Sequence, residues 1–261
     1  MKRLIVPVVI ILMIITGLLI WLILVGSKPL VRIAMVGNSY TYANDLPEQL
    51  ETMLNEASED KRYQVTVFAQ PAHTLSDHLG DLAPKLDAGF DTTRNKNWDY
   101  LILQEQSQVS GFPASHPDFQ NSLGSVAKFA EYSVESDTNL VLFETWGYFM
   151  GDNSNPDIYR DFDSMQKRIS TGYERYETKA SLEGARVTVA KVGSCWLKLS
   201  NSKPQLVELE MLYAEDGSHP SQLGSVLASA ILAANINPEF APTSIIKEHS
   251  GILQFAADNC T

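Results

Sequence analysis

Cysteine is nearly absent from this sequence of 261 residues, which contains two, Cys195 and Cys260. A structural zinc site needs about four clustered cysteine or histidine ligands, so one pair at this spacing excludes a site built on cysteine. His73 and His78 are too poorly spaced to act as two ligands on one helix face. We therefore expect no metal site. In an oxidising compartment the two cysteines could close one disulfide, and two free thiols are an equally open alternative.

Lysine and arginine are also scarce. The sequence contains 20 of them and 31 aspartates and glutamates, which gives a net charge of −11 at pH 7. Binding of nucleic acid requires clustered cations opposite the phosphates, and binding of anionic lipid head groups requires the same. The composition therefore argues against nucleic acid as a partner and against tight electrostatic binding to a lipid surface. A simpler reading of the acidic surface is that it keeps the domain soluble.

Charged residues are missing from one long run, LIVPVVIILMIITGLLIWLILVG, over residues 4–26. As a helix it would be about 34 Å long at 1.5 Å per residue, enough to span a hydrocarbon core of about 30 Å. It predicts an uncleaved signal anchor, with a cleaved signal as the alternative. Lys2 and Arg3 precede the run and place that end in the cytoplasm. We expect an anchor and linker over 1–30 and an extracytoplasmic domain, periplasmic or extracellular, over 31–261.

Short apolar runs that do not alternate with polar residues recur after the anchor, at residues 31–36, 65–68, 100–103, 140–143 and 187–192. Such runs are typical of strands buried on both faces. Amphipathic or small-residue stretches of helical period accompany them at 45–57, 119–134, 158–182 and 221–235. This alternation predicts a flavodoxin-like three-layer α/β/α fold, with a five-stranded parallel sheet in the order 2-1-3-4-5.

Polar segments follow the predicted strands. They read GNSYT, QPAHTL, QEQS and TWGY after the first four strands, and DGSHP precedes the last helix, at residues 37–41, 70–75, 104–107, 145–148 and 216–220. In open parallel sheets, ligands bind outside the carboxyl ends of the strands. We therefore expect a functional site at this edge.

Three residues of these segments could form a nucleophilic site. A serine hydroxyl such as that of Ser39 attacks well only when a base takes its proton, and histidine is the usual base. Asp216 precedes His219 by three residues and could fix its tautomer and stabilise the imidazolium. Each has a plainer alternative. GNS taken alone is more often a turn, His219 could cap the last helix with Ser221, and Asp216 could be a turn former.

The GNS segment and the Asp216-x-x-His219 segment resemble the first and last sequence blocks of the SGNH/GDSL hydrolases, serine esterases and lipases on a flavodoxin-like fold. The resemblance covers about residues 31–236, with Asn38 in place of the usual aspartate. It implies that Ser39 attacks the ester, that His219 is the base, that Asp216 orients it, and that no cofactor is needed.

The resemblance also implies an oxyanion hole. Its donors would be the backbone N–H of Ser39, the N–H of Ala72 at the position of the family's glycine, and the amide of Gln104 in place of an asparagine. Possible pocket residues are Asn38, His73 and Trp146. For Trp146, a pocket wall for a sugar or acyl group and ordinary packing against the sheet edge are both open.

We expect a serine hydrolase that cleaves carboxylic esters through an acyl-enzyme on Ser39. O-acyl groups on extracytoplasmic glycans are the first substrate class, and small or lipid esters the second. A non-catalytic SGNH-like domain that binds a glycan or a partner protein is the main alternative, because Asn38, Ala72 and Gln104 depart from the family pattern. Acyl transfer onto a glycan is a further alternative.

Overall fold

The computed structural model describes residues 28–79, 98–202, 207–241 and 250–260. Within these ranges, five strands alternate with helices along the chain. The strands are β1 (Leu30–Gly37), β2 (Arg62–Ala69), β3 (Tyr100–Leu103), β4 (Asn139–Phe143) and β5 (Val187–Ala190). The helices are α1 (Ser39–Tyr42), α2 (Leu46–Glu56), α3 (Pro117–Glu135), α4 (Phe162–Leu182), α5 (Val192–Ser200), α6 (Gln222–Ile236) and α7 (Ser250–Asn259).

The strands form one sheet in the order β2-β1-β3-β4-β5, and every pair is parallel. The predicted order is therefore confirmed. Gly37 at the end of β1 pairs with Ala69 of β2, and Val36 pairs with Leu103 of β3. The ends of these three strands are level with one another, and the chain leaves β1 at the point where the order reverses, which is where such sheets bind ligands.

Successive residues of β1 enter different apolar clusters. Ile33 and Met35 pack in the cluster that contains residues of α2, α5 and α6, whereas Ala34 and Val36 pack in the one that contains residues of α3 and α4. All four are fully buried. Because helices cover both faces of the strand, neither face meets solvent and neither takes polar side chains. This explains its continuous apolar sequence.

Several element boundaries differ from the sequence prediction, and β2 begins at Arg62, three residues before the predicted start at Val65. The helix expected over 158–182 begins at Phe162, because Asp161 and Ser164 form a reciprocal capping box in which each side chain bonds the other's backbone N–H. The strand expected to reach residue 192 ends at Ala190, and Val192 already belongs to α5. Lys191 stands between the two elements, and one polar residue among apolar ones does not mark the end of a strand in a single sequence.

No helix in the part of the chain that the structure describes is long and apolar enough to cross a membrane. The predicted fold class, which placed a transmembrane helix ahead of the sheet, is corrected accordingly to the α/β sheet alone. The apolar run over residues 4–26 lies outside the described residues. The division of the chain into 1–30 and 31–261 stays a prediction.

A disulfide joins Cys195 of α5 to Cys260, just after α7, with the two Cα atoms 5.4 Å apart. It resolves the choice between paired and free cysteines. The bond closes a loop of 65 residues and fixes α7 against α5.

Replacing both Cys195 and Cys260 by serine is expected to lower the free energy of unfolding by about 4 kcal/mol, because the unfolded chain regains the entropy that a crosslink of this span removes. Urea unfolding of the double variant beside the reference chain measures the difference. The reference chain unfolded with a reductant should match the variant. A difference below about 1 kcal/mol would show that the crosslink constrains little.

Candidate active site

Ser39 lies where β1 ends and α1 begins. Asn38 caps this helix, since its side-chain oxygen accepts a hydrogen bond of 3.1 Å from the N–H of Tyr40. Gly37 has no space for a side chain, because a Cβ there would lie 2.2 Å from Oγ1 of Thr41. The GNS segment is therefore a turn that also presents Ser39 at the carboxyl edge of the sheet.

A hydrogen-bonded chain joins Ser39, His219 and Asp216. The Oγ of Ser39 lies 2.8 Å from Nε2 of His219, and Nδ1 of the same ring lies 2.5 Å from Oδ2 of Asp216. When Nδ1 donates to the carboxylate, the lone pair on Nε2 faces the serine hydroxyl. The structure thus brings these three predicted residues together in the geometry that proton transfer from a serine requires.

Asp216 also shapes the turn that carries His219. Its Oδ1 accepts hydrogen bonds of 2.8 Å from the N–H groups of Ser218 and His219. Gly217 has a φ of 66°, a conformation that glycine adopts without steric cost. Burial raises the pKa of Asp216, but hydrogen bonds from these N–H groups and from the His219 ring outweigh it and lower the pKa to about 2. The carboxylate is therefore ionised at neutral pH.

Trp146, in the loop after β4, supports this turn. Its Nε1–H donates to the carbonyl oxygen of Ser218 at 2.9 Å. The ring is fully buried and stacks on Tyr40 and on Trp196, with centroid distances of 4.9 and 4.3 Å. Of its two predicted roles, packing is the one observed, and the covered ring forms no wall of an open pocket.

Tyr40, the neighbour of Ser39, contacts His219 directly. Its ring meets the imidazole edge to face, with centroids 5.1 Å apart. Tyr40 is itself buried. The sequence predicts no role for Tyr40, because an aromatic residue in the first turn of a helix carries no signal that it will touch a residue 179 positions away.

Ala72 occupies the third position of a turn that follows β2. The N–H of His73 bonds the carbonyl of Gln70 at 3.2 Å, Pro71 is the second residue, and Ala72 has a φ of 60°. These features are those of a type II turn, which normally takes glycine where Ala72 stands. The side-chain nitrogen of Asn38 donates to the His73 carbonyl at 3.1 Å. This hydrogen bond holds the turn next to Asn38, the residue before Ser39. An oxyanion donor at Ala72 would have to lie this close to the nucleophile.

Two substitutions at Ala72 test this turn. Ala72→Gly removes the strain of a left-handed alanine, about 1–2 kcal/mol, but raises the conformational entropy of the unfolded chain. Because the two effects oppose each other, we expect a small change in the free energy of unfolding. We expect kcat to be unchanged. Ala72→Val is expected to lower kcat about 10²–10³-fold, because a β-branched residue shifts the turn and its N–H. Ala72 is exposed, so a larger side chain meets no core atoms. Steady-state hydrolysis of p-nitrophenyl acetate provides the measurement. Equal rates for the two variants would show that the backbone N–H of Ala72 takes no part in the reaction.

Gln104 is buried and holds the backbone beside Ser39. Its Oε1 accepts from the N–H of Asn38 at 2.8 Å and from Oγ1 of Thr41 at 2.9 Å, and its Nε2 donates to the carbonyl of Glu105. The orientation of the Gln104 amide is defined by these partners, because the Asn38 N–H is a donor and must face Oε1, whereas the Glu105 carbonyl is an acceptor and must face Nε2. Gln104 therefore positions the residue before the nucleophile, and only the second hydrogen of Nε2 is left for the predicted oxyanion role.

Glu105 has no predicted function, yet it joins the Ala72 turn to the sheet. Its carboxylate accepts hydrogen bonds from the N–H of Leu75 at 3.1 Å, from the N–H of Gln106 at 2.6 Å and from the hydroxyl of Ser122. Complete burial raises the pKa of Glu105 to about 7, although these hydrogen bonds oppose the rise. Sequence offers no signal for this role, because a glutamate beside a strand end is ordinarily solvated.

The raised pKa of Glu105 predicts a pH dependence of stability. The folded chain holds this proton up to about pH 7, whereas the ordinary value is 4.5. The stabilisation is therefore complete below pH 4.5 and is lost as the pH rises through 7, by about 3 kcal/mol. Urea unfolding from pH 4 to 8 should show this component in the reference chain and not in Glu105→Gln. Parallel curves for the two would contradict it.

His73 and His78 lie beside the site without forming a metal centre. His73 is half-buried, its Nδ1 lies 3.3 Å from the carbonyl of Pro71, and its ring centroid is 5.1 Å from that of His78. His78 is buried, and its Nε2–H donates to the carbonyl of Gly37 at 2.7 Å. The part of the chain that the structure describes contains no group of three or more His, Cys, Asp or Glu side chains able to hold a metal ion. His78 thus helps to fix the end of β1.

Comparison with known proteins identifies the fold. No protein-family model matches the chain, and no curated protein matches it. Among solved structures, a candidate SGNH hydrolase from Slackia heliotrinireducens is 28% identical, with a TM-score of 0.58, over 79% of this chain and 99% of that one. A catalytic mutant of Axe2, an acetylxylan esterase from Geobacillus stearothermophilus, is 10% identical, with a TM-score of 0.56. The match covers 82% of this chain and 95% of the esterase.

A lipase from a goat rumen metagenome, Lip_vut3, is 16% identical, with a TM-score of 0.53, over 78% of this chain and 96% of that one. The likeness to the esterase and to the lipase is one of fold alone. The likeness to the Slackia protein extends to the sequence. The described part of the chain therefore has the fold of these hydrolases, and the similarity to the Slackia protein supports a hydrolase.

Proposed function

We propose that this chain is a serine hydrolase that cleaves carboxylic esters, with Ser39 as nucleophile, His219 as general base and acid, and Asp216 as the residue that orients the histidine. The observation that carries the proposal is the unbroken chain of hydrogen bonds from Ser39 Oγ to His219 Nε2, at 2.8 Å, and from His219 Nδ1 to Asp216, at 2.5 Å. A turn serine or a helix-capping histidine would not need this alignment.

In the first half of the reaction, Ser39 Oγ attacks the acyl carbon while Nε2 of His219 takes its proton. Negative charge collects on the former carbonyl oxygen, which faces the N–H groups of Ser39 and Ala72. The N–H of Ser39 is the first in α1, where no intrahelical acceptor exists. The carbon–oxygen bond to the alcohol then breaks, and His219 returns the proton to the departing oxygen.

In the second half, a water molecule attacks the acyl group on Ser39. His219 takes the proton from the water, and the new tetrahedral centre expels the serine oxygen, which receives that proton. The products are the carboxylic acid and the regenerated hydroxyl. Asp216 stays ionised throughout and stabilises the imidazolium that exists in each half.

O-acyl groups on glycans are the substrates that we propose first. The side chains of His219 and Asp216 are 40% and 50% exposed, so the bulky alcohol part of an ester can stay in solvent while a small acyl group reaches Ser39. The acetylxylan esterase of similar fold gives this choice a precedent. We also propose an extracytoplasmic location, supported by the disulfide between Cys195 and Cys260, since such bonds persist in oxidising compartments.

The function can be tested with a fluorophosphonate probe, which labels activated serines, on the full chain. We expect a label on Ser39, none on Ser39→Ala, and normal labelling of Ser200→Ala, a helical serine whose hydroxyl donates to the carbonyl of Leu197. Absence of label on the reference chain would favour a non-catalytic binding domain.

Product analysis separates the remaining alternatives. With acetylated xylo-oligosaccharides we expect free acetate, and turnover above that of p-nitrophenyl laurate, a long-chain ester. Acetate found mainly on an added alcohol would indicate acyl transfer. Faster turnover of the laurate would favour lipid esters over acylated glycans.

A further inference from the structure

A depression of about 410 Å³ lies away from Ser39, between helix α4 and residues 111–114. Its volume falls within the range of about 300–1,000 Å³ typical of small-molecule sites. The α4 wall contributes three cations, Lys167, Arg168 and Arg175, together with the hydroxyls of Ser164 and Thr171.

The cations are arranged along one face of the helix. Arg168 and Arg175 are seven positions apart, which places them two turns from each other on the same side of α4. Lys167 borders the same depression. All three side chains belong to exposed residues. Three cations in one depression form a local reversal of charge in a chain whose net charge is −11.

These cations form no ion pair with a carboxylate of the described residues, unlike other cations of the same part of the chain. Lys128, Lys179 and Arg186 each form an ion pair with an acidic side chain. Among the described residues, no carboxylate lies within 4.0 Å of the charged nitrogens of Lys167, Arg168 or Arg175. No direct ion pair with a described carboxylate therefore occupies these three cations.

The guanidinium of Arg175 is held in a defined position. Its central carbon lies 5.6 Å from the centroid of the Phe119 ring. Stacking on an aromatic ring occupies one face of a guanidinium and leaves its in-plane N–H donors available. Such a fork matches the two oxygens of a carboxylate.

An aromatic residue, Phe112, lines the depression together with these cations. Phe112 is half-buried, and its ring lies 4.3 Å from that of His116 and 5.8 Å from that of Tyr159, measured between centroids. These contacts hold the ring in place and leave part of it exposed. An apolar ring in the same depression as cationic donors and hydroxyls suits a sugar ring that bears an acid group.

We propose that this depression binds a uronic-acid residue of the substrate glycan, with its carboxylate on Arg168 and Arg175 and its ring against Phe112. The identification of the ligand as part of an acylated glycan rests on the proposed function. One continuous segment connects the two places, since the chain runs from Gln104 beside Ser39 to Phe112 in eight residues. A glycan could thus be held at the depression while an acyl group of another sugar reaches the serine.

The test measures binding of tri-galacturonic acid to the full chain by isothermal titration calorimetry, with neutral xylotriose as the comparison sugar. We expect Arg168→Gln and Arg175→Gln each to bind the acidic sugar about tenfold more weakly, as for the loss of one charge-assisted hydrogen bond. The matched control is Lys61→Gln, which removes the same charge from an exposed position outside the depression. It should bind like the reference chain.

Three results would overturn the proposal: equal binding of xylotriose and tri-galacturonic acid, unchanged binding by both arginine variants, or inorganic phosphate binding as tightly as the sugar. Thermal unfolding of each variant confirms that its fold is kept. Ser39→Ala separates this inference from the proposed function, because it should bind the acidic sugar normally. If no ester is turned over while the arginine-dependent binding persists, the proposed function fails and the sugar site stands without its link to catalysis.

Discussion

Ser39→Ala is expected to lower kcat for p-nitrophenyl acetate by at least about 10⁴-fold, because no other group can form the acyl-enzyme. Alanine is a good helix former and Ser39 is the first residue of α1, so the fold should be unaffected. The bond from Ser39 Oγ to His219 would be lost, and the histidine would face water. Initial rates at several substrate concentrations, with the full chain, give kcat and KM separately.

Ser200→Ala is the control for this measurement, because it makes the same chemical change in a helix that lies outside the Ser39–His219–Asp216 chain. It should hydrolyse the ester at the reference rate. Equal hydrolysis by Ser39→Ala and the reference chain would mean that Ser39 is not the nucleophile. A fall in KM alone, with kcat kept, would contradict the mechanism as well.

Asp216→Asn is expected to lower kcat about 10³–10⁴-fold while leaving the turn intact. The asparagine oxygen can still accept from the N–H groups of Ser218 and His219, which now bond Oδ1 of the carboxylate. The amide nitrogen would replace Oδ2 opposite Nδ1 of His219. Two donors cannot face each other, so the ring must take the other tautomer and present N–H to Ser39.

The wild-type carboxylate gives this prediction a second readout. Although burial raises the pKa of Asp216, hydrogen bonds from Ser218 and His219 lower it to about 2. Protonation of Asp216 should therefore not limit activity above about pH 3, so the loss in Asp216→Asn should persist across the neutral range of a pH–rate profile. An asparagine variant with more than a tenth of the reference kcat would argue that Asp216 only shapes the turn.

The order of the sheet and the placement of Ser39 were predictable for a common physical reason. Strands buried on both faces have an apolar signature that survives in a single sequence. Once the strands are placed, parallel pairing forces the segments after them to one edge. The two ends of the hydrogen-bonded chain lie 180 residues apart. The topology accounts for Ser39, which follows β1, whereas Asp216 and His219 follow no strand directly and were predicted from the resemblance and from their chemistry.

The supporting contacts of the site were not predictable to the same degree. Trp146 and Gln104 both follow strand ends, so sequence placed them correctly near the site, but their roles depend on which groups cover them. Trp146 is enclosed by two rings from distant elements, and Gln104 is committed to backbone groups beside it. Burial of the carboxylate of Glu105 likewise follows from tertiary packing, which no local pattern encodes.

The stacked indoles of Trp146 and Trp196 give the molecule an optical signature. Parallel rings with centroids 4.3 Å apart couple their electronic transitions, so the near-ultraviolet circular dichroism should contain a feature that depends on this pair. Fixed aromatic packing is what that spectral region reports. Because Trp146 also bonds the carbonyl of Ser218, loss of the feature would identify, before any substrate is added, a variant in which the turn of His219 has moved.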